Sequence, residues 1–246
     1  MSAKTLSSDT AANAVSALYA VGDIHGEAER LARLYALIRE HHMREFPGEP
    51  CRIVFLGDYV DRGRDSCGTI EFLMDHQEAA PGEIICLRGN HEQMMLDGLD
   101  DAYGSTYENW LLNGGRDTMQ SYASNGYEEV PKSHRKWLDS LPDIHIEESL
   151  NLICVHAGID TAGYPDCRPG VRLWTRARTF FDTELWQNPA LLGWTVVHGH
   201  TPTDDFHPFT DGVPARRINV DTGAVFGGPL TAACIMREKP PRFIYA

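Results

Sequence analysis

Asp23 and His25 in Gly22-Asp23-Ile24-His25-Gly26, Asp58 and Asp61 in Gly57-Asp58-Tyr59-Val60-Asp61-Arg62-Gly63, and Asn90 and His91 in Gly89-Asn90-His91-Glu92 deliver oxygen and imidazole donors at three points of the chain. Mixed carboxylate, imidazole and amide donors with no thiolate suit manganese, iron or zinc in an open site better than a closed structural zinc site. Asp23 and His25 are two apart, so along a continuing strand they share one face. A turn permitted by Gly22 and Gly26 would aim both at one ion. Asp58 has two oxygens with which to bridge two ions, and Asn90 offers a neutral carbonyl oxygen. His156 and His200 add imidazoles from the second half, although Val196-Val197-His198-Gly199-His200 leaves His198 as a rival to His200 on spacing alone. Two ions about 3.5–4 Å apart, bridged by a hydroxide, stabilise both the attacking and the leaving oxygen of an in-line displacement.

The elements that must position these donors are legible around them. The short apolar runs Ala17 to Val21, Ile53 to Leu56 and Ile84 to Arg88 read as buried strands, each closed by one of the polar clusters. In an open α/β sheet, ligands bind at the carboxyl ends of the strands. Between them, Glu27 to His42 carries Leu31, Leu34, Tyr35, Leu37 and Ile38 at helical spacing, and a second helix is expected over Ser66 to Asp75. A third is expected to start near His91 with Met94, Met95 and Leu99 on one face. This β-α-β-α-β order predicts parallel strands with helices on the sheet. Residues 100–141 read as a helical insertion, with turns at Asn113-Gly114-Gly115 and Asn125-Gly126. Beyond Pro142 the texture is β-rich: Ile144 to Glu147, Leu150 to Val155, Thr195 to Val197, Arg217 to Val220, Leu230 to Met236 and Phe243 to Tyr245. The expected organisation is a mobile tail over residues 1–14 and one catalytic domain over 15–246, with two sheets packed face to face.

Bulk properties narrow the function classes. A net charge of −13 over 246 residues argues against a nucleic-acid binder that neutralises phosphates. It leaves phosphate chemistry open, because bound cations can be the largest local charges in a site. Only Lys4, Lys132, Lys136 and Lys239 are lysines; the other basic residues are arginines, whose forked guanidinium suits phosphate. No apolar stretch is long enough to span a bilayer, and the N-terminus lacks a signal-peptide layout. The six cysteines show no pairing pattern, so a reducing cytoplasm is the expected location, with the thiols buried or incidental. His41 and His42 are expected to answer a helix C-terminal dipole, and His76, His134, His145 and His207 to be solvated. Trp110, Trp137, Trp186 and Trp194 are expected to pack inside. Asp221 in Asp221-Thr222-Gly223-Ala224 is either a turn residue or a support for the site.

The ordered runs GDIHG, GDYVDRG and LRGNHE, followed by VHAG and GHT, resemble the phosphoprotein phosphatase family of calcineurin-like metallophosphoesterases, in the small size of its bacterial and phage members. The likeness spans about Val21 to Asp221. It implies an α/β fold in which a two-sheet β-sandwich is flanked by helices in four layers. It places Asp23, His25 and a bridging Asp58 on a first divalent ion, and Asp58, Asn90, His156 and His200 on a second. Manganese is the expected metal, with iron or zinc as alternatives. His200, in the Gly-His-Thr unit, becomes the ligand, and His198 a neighbour that packs. The resemblance makes His91 the general acid for the leaving alkoxide, with Asp61 polarising its ring. Arg62 would grip phosphate, as would Arg176, with Arg178 a close competitor for the latter role.

The function implied is hydrolysis of serine or threonine phosphomonoesters on proteins or peptides, by direct attack of a metal-bound hydroxide on phosphorus, in a monomer without nucleic-acid or membrane partners. A dinucleoside polyphosphate hydrolase shares the early motifs but typically lacks the aspartate of Asp-Arg-Gly, which is present here as Asp61. An inactive phosphoprotein-binding module is the alternative from another class. It is disfavoured by a complete donor set.

Overall fold

All five side chains of Ala17–Val21 (β1) are buried, as a strand covered on both faces requires. Ala17, Tyr19 and Val21 enter one core with Leu31, Leu34, Ile53 and Phe55, whereas Leu18 and Ala20 enter another with Val54, Leu56, Leu152 and Val197. Period-two alternation thus sorts a single apolar run into two cores. These relations come from a computed structural model, which describes residues 14–102, 104–168 and 170–246. The tail expected over residues 1–14 lies outside the described residues except for Ala14.

The described residues form two five-stranded sheets. The first joins β1 to Cys51–Phe55 (β2) and Ile84–Cys86 (β3) in parallel, with Thr231–Ile235 (β9) antiparallel on the other side of β1 and Arg242–Tyr245 (β10) at the edge. The second runs in the order Ile144–Glu147 (β4), Leu152–Val155 (β5), Thr195–His198 (β6), Arg217–Asn219 (β8), Phe209–Asp211 (β7). Its three central strands are parallel. The core containing Leu18 and Leu152 fills the space between the sheets. On the outer face of the second sheet, Ile153, Val155 and Val196 pack with Phe180, Trp186 and Leu191. This is the four-layer arrangement expected from the motifs. Among the described residues only β7, short and largely exposed, lies outside the strands read from sequence.

Helix Ala28–Glu45 (α1) covers the first sheet through Leu31, Leu34, Ile38 and His42. It runs past the expected end because His42 turns inward: its Nε2 donates to the Glu49 carbonyl at 2.8 Å, and Tyr19 Oη lies 3.4 Å from its Nδ1. His134 is likewise buried, with Tyr122 Oη 3.0 Å from its Nδ1, so it is not the solvated group expected. Helix Ser66–Ala79 (α2) starts from an Asp65 cap whose carboxylate accepts from the Gly68 N–H at 2.9 Å. Asn90–Asp100 (α3), Ser105–Trp110 (α4), Arg116–Ser124 (α5) and Lys132–Ser140 (α6) fill the interval between β3 and β4, and the chain kinks between α4 and α5 at Gly114, whose φ is +114°.

An ion pair with a buried carboxylate ties the sheets together. Arg52 on β2 donates from Nε to Glu147 Oε2 on β4 at 3.1 Å, and Ser149 Oγ donates to Oε1 at 2.7 Å. Burial opposes ionisation of Glu147, but His145, Ser149 and Arg52 outweigh it and hold the carboxyl down at about 2, below its ordinary 4.5. A depressed folded-state value means the contribution is present above pH 4.5 and is lost as pH falls towards 2. Glu147→Gln should therefore cost about 1–2 kcal/mol at neutral pH. In urea titrations that gap to wild type should narrow as the medium is acidified through this window; a pH-independent gap would refute the charge-based account.

Candidate metal centre

The parallel strands of both sheets point their carboxyl ends to the same side, and the loops that follow meet there. Loop 57–63 and Gly89, the residue that opens α3, touch backbone to backbone: a Cβ on Gly57 would lie 2.5 Å from Gly89 N, and Gly57 has φ +105°. His25, Asp58, Asp61, Arg62 and His200 all adopt positive φ, between 46° and 74°. Such backbone is costly for residues with a Cβ and collects at functional sites.

Two donor sets form around Asp58. His25, Asp58 and His91 each present a ligand atom within 4.8 Å of the others, and so do Asp58, His156 and His200. The carboxylate of Asp58 is split between them: Oδ2 lies 3.5 Å from His25 Nε2, and Oδ1 lies 3.3 Å from His156 Nε2. Asn90 joins the second set, its Oδ1 at 2.8 Å from both His156 Nε2 and His200 Nδ1. Asp23 stands slightly apart, outside both sets, because its oxygens accept the His200 backbone N–H at 3.1 Å.

The donors fit divalent cations on three observations. His25 Nδ1 donates to the Val60 carbonyl at 2.8 Å and His156 Nδ1 to the Leu56 carbonyl at 3.0 Å. That tautomer leaves the His156 Nε2 lone pair facing Asn90 and Asp58 oxygens with no proton between them. It leaves the His25 Nε2 lone pair free to accept, with Asp58 Oδ2 at 3.5 Å and the Arg62 guanidinium as its donor at 2.7 Å. Second, the imidazoles are held neutral: burial pushes His25 and His200 down to about 3 and lowers His156 as well. Third, carboxylates crowd together. Burial, then Asp221 and Asp58, raises Asp23; burial raises Asp221 to about 7, helped by Asp58; and Asp221 Oδ2 is buried without a hydrogen-bond partner. Neutral lone pairs and mutually repelling carboxylates in one buried place are satisfied together by bound cations.

His91 differs from its neighbours. Its Nδ1 lies 2.7 Å from Asp61 Oδ2, and its ring meets that of His25 edge-on, with centroids 4.7 Å apart. Burial works against its charge, but Asp58 and Asp61 outweigh burial and raise it. Two adjacent imidazoles are thus driven in opposite directions, the arrangement expected when one is a ligand and the other a proton donor.

Arg62 and Arg176 flank the mouth. Arg62 Nη1 lies 2.7 Å from His25 Nε2, and Arg176 Nε lies 3.2 Å from His200 Nε2. Arg178 is turned away, paired with Asp182 at 3.4 Å, which separates the two arginines that sequence left in competition. A cleft of about 450 Å³ contains Asp58, Asn90, His91, Arg62 and Arg176, with the exposed ring of Trp174 on one wall. In an adjoining pocket that Arg62 and Arg176 also line, the Phe226 ring lies 5.6 Å from the Arg62 guanidinium carbon.

Several contributors escaped the sequence reading. Glu92 is fully buried and accepts four backbone N–H groups, from Asp58, Tyr59, Val60 and Gly89, at 2.7–3.3 Å. It bolts the second and third clusters together, and its place three residues after Gly89 was a readable capping signal. Trp110 and Thr118, from the helical stretch, both donate to Asp61. Nothing local in their sequence announces that. Asp221 proves to be buried beside Asp23 and His25 in the adjoining pocket rather than a simple turn residue. His198 packs against Phe180 and accepts from Arg217 Nη1 at 3.0 Å, away from the donors.

The sequence model of the calcineurin-like phosphoesterases matches residues 17–228. Serine/threonine-protein phosphatase 1 of Salmonella typhimurium is 28% identical over 235 residues, covering 89% of this chain and 91% of that protein. The asymmetrical bis(5′-nucleosyl)-tetraphosphatase of Bacillus subtilis is 27% identical over 240 residues, covering 86% of this chain and 87% of its own. In fold, the chain resembles the cold-active protein-tyrosine phosphatase of a psychrophilic Shewanella, with a TM-score of 0.55 at 18% identity over 98% of this chain and 85% of that one.

Proposed function

The chain belongs to the calcineurin-like phosphoesterases, in their phosphoprotein phosphatase family, and from that premise we propose that it hydrolyses phosphoserine and phosphothreonine monoesters in proteins. The observation that carries this reading is Asp58, whose two oxygens face separate imidazoles of two donor sets. Asp23, His25 and Asp58 would hold one divalent ion, and Asp58, Asn90, His156 and His200 the other. When bound, the ions supply the positive charge that activates water and neutralises phosphoryl oxygens. Manganese is our choice of metal, with iron or zinc as substitutes. Residues 15–246 act as one catalytic unit, a monomer in a reducing compartment. Among the described residues no helix is long and apolar enough to cross a membrane.

The protein's own groups do the rest. Arg62 and Arg176 orient the phosphoryl group with forked donors that strengthen as its charge develops. His91 gives its proton to the leaving oxygen, and Asp61 at Nδ1 stabilises the imidazolium beforehand. Because Arg176 lines the cleft and Arg178 does not, Arg176→Ala should raise KM about tenfold or more, and Arg178→Ala should change it less than about twofold. Steady-state kinetics on one phosphopeptide decides this, and equal effects would reject the choice between them.

A second reading has a specific observation behind it. Trp174 and Phe226, 47% and 55% exposed, offer rings in two adjoining pockets that Arg62 and Arg176 both line, where bases of a dinucleoside polyphosphate would stack. The relative from Bacillus subtilis is named for that class. A manganese-loaded panel of phosphoserine, phosphothreonine and phosphotyrosine peptides beside diadenosine tetraphosphate separates the two. Higher kcat/KM on the phosphoserine and phosphothreonine peptides is expected, and a preference for the dinucleotide would overturn the first reading.

A further inference from the structure

Asp61 is an anionic side chain with no exposed surface, and beside its bond to His91 its carboxylate is held by donors from outside the strand-end clusters that carry the metal donors. Thr118 Oγ1 donates to Oδ1 at 2.7 Å, and Trp110 Nε1 donates to Oδ1 at 3.0 Å and to Oδ2 at 3.2 Å. Thr118 Oγ1 also accepts the Asp61 backbone N–H at 2.8 Å, and Ser66 Oγ accepts it at 3.1 Å, which holds the left-handed backbone at φ 74°. Both side-chain donors sit on the helical stretch between β3 and β4. Trp110 is itself wedged: a Cβ on Gly115 would lie 2.6 Å from its ring, and one on Gly98 would lie 3.2 Å from it. The same stretch reaches the phosphate side, where the Gly114 carbonyl accepts the Arg62 N–H at 3.2 Å.

We propose that Thr118 and Trp110 are positioning residues for proton transfer, fixing the Asp61 carboxylate against His91 Nδ1 so that His91 Nε2 faces the leaving oxygen. A carboxylate with one partner can rotate about its terminal torsion, which is broad. With three donors converging on two oxygens, only one orientation keeps every bond, and the imidazole is aligned through it. The helical stretch then serves catalysis through Asp61. This inference rests on His91 being the general acid.

The test uses the full-length, manganese-loaded protein and two substrates: a phosphoserine peptide, whose alkoxide needs a proton to leave, and para-nitrophenyl phosphate, whose phenolate does not. Thr118→Val keeps the shape and removes the hydroxyl's bonds to the Asp61 N–H, Asp61 Oδ1 and Ser66 Oγ. It should lower kcat on the peptide about tenfold with KM unchanged, and lower kcat on the aryl ester less than about twofold. Thr118→Ser should restore the peptide rate, and Trp110→Phe should reproduce the selective loss. In a His91→Asn background, adding Thr118→Val should change nothing further. Equal losses on the two substrates, or a further loss in the His91→Asn background, would mark a structural role and overturn the inference. A His91→Asn single variant that loses equally on both esters would instead overturn the acid assignment itself. Selective loss in His91→Asn with none in Thr118→Val would overturn only the positioning role.

Discussion

Replacing Asp58 by Asn is expected to remove turnover almost completely, by at least about a hundredfold, the upper range seen when a group merely supporting a ligand is changed. Asp58 is the one side chain shared by both donor sets, so losing its charge weakens two ions at once. Folding should survive. The amide keeps an oxygen to accept the His91 backbone N–H, now accepted by Asp58 Oδ1 at 3.0 Å, and its NH2, in the place of Oδ2, would face His25 Nε2. Removing the charge also relieves Asp23, Asp221 and Glu92, all of which Asp58 pushes upward. The variant should thus match metal-free wild type in thermal unfolding, and the rise in Tm that manganese gives wild type should shrink. Elemental analysis after dialysis should show loss of bound metal. Undiminished activity in the variant would reject the two-ion site.

His91→Asn is expected to lose about 10²- to 10⁴-fold in kcat, the usual worth of a placed general acid, while keeping its metal. The second half of that statement is the discriminating one. Distance alone groups His91 with His25 and Asp58 as donors of one set. Hydrogen bonding separates them: His25 Nδ1 faces a backbone carbonyl and its ring is driven neutral, while His91 Nδ1 faces a carboxylate and its ring is driven towards the cation. A neutral ring ligates, and an imidazolium can give up a proton but has no lone pair for a metal. Retained metal with lost turnover is therefore the expected pattern. Metal loss on par with Asp58→Asn would make His91 a ligand and return proton transfer to another group.

How much of this was legible beforehand follows from where the information lies. Asp23, His25, Asp58, Asn90, His156 and His200 could be picked out because each closes or follows a short apolar strand, and strand, turn and donor are neighbours in sequence. The same locality made β1, β2, β3, α1 and α2 readable, with helix ends the weakest part. Helix α1 ran three residues beyond its expected end because His42 found partners in Tyr19 and Glu49, a tertiary reason that no helical periodicity contains. His134 was misread for the same cause, since its burial depends on Tyr122.

Sequence by itself determined the chemistry available: which donor types exist, that they gather at strand ends, and that apolar alternation builds two sheets with those ends together. Tertiary structure alone decided how the donors are shared. It drew Asp23 towards the His200 N–H, set Asp58 between two clusters, chose Arg176 over Arg178 for the cleft, and closed Asp61 beneath Trp110 and Thr118, 49 and 57 residues away along the chain. The physical reason is that periodicity and turn chemistry specify which way a side chain leaves its own element. Which partner it meets depends on how separate elements pack, and no local pattern encodes that distance.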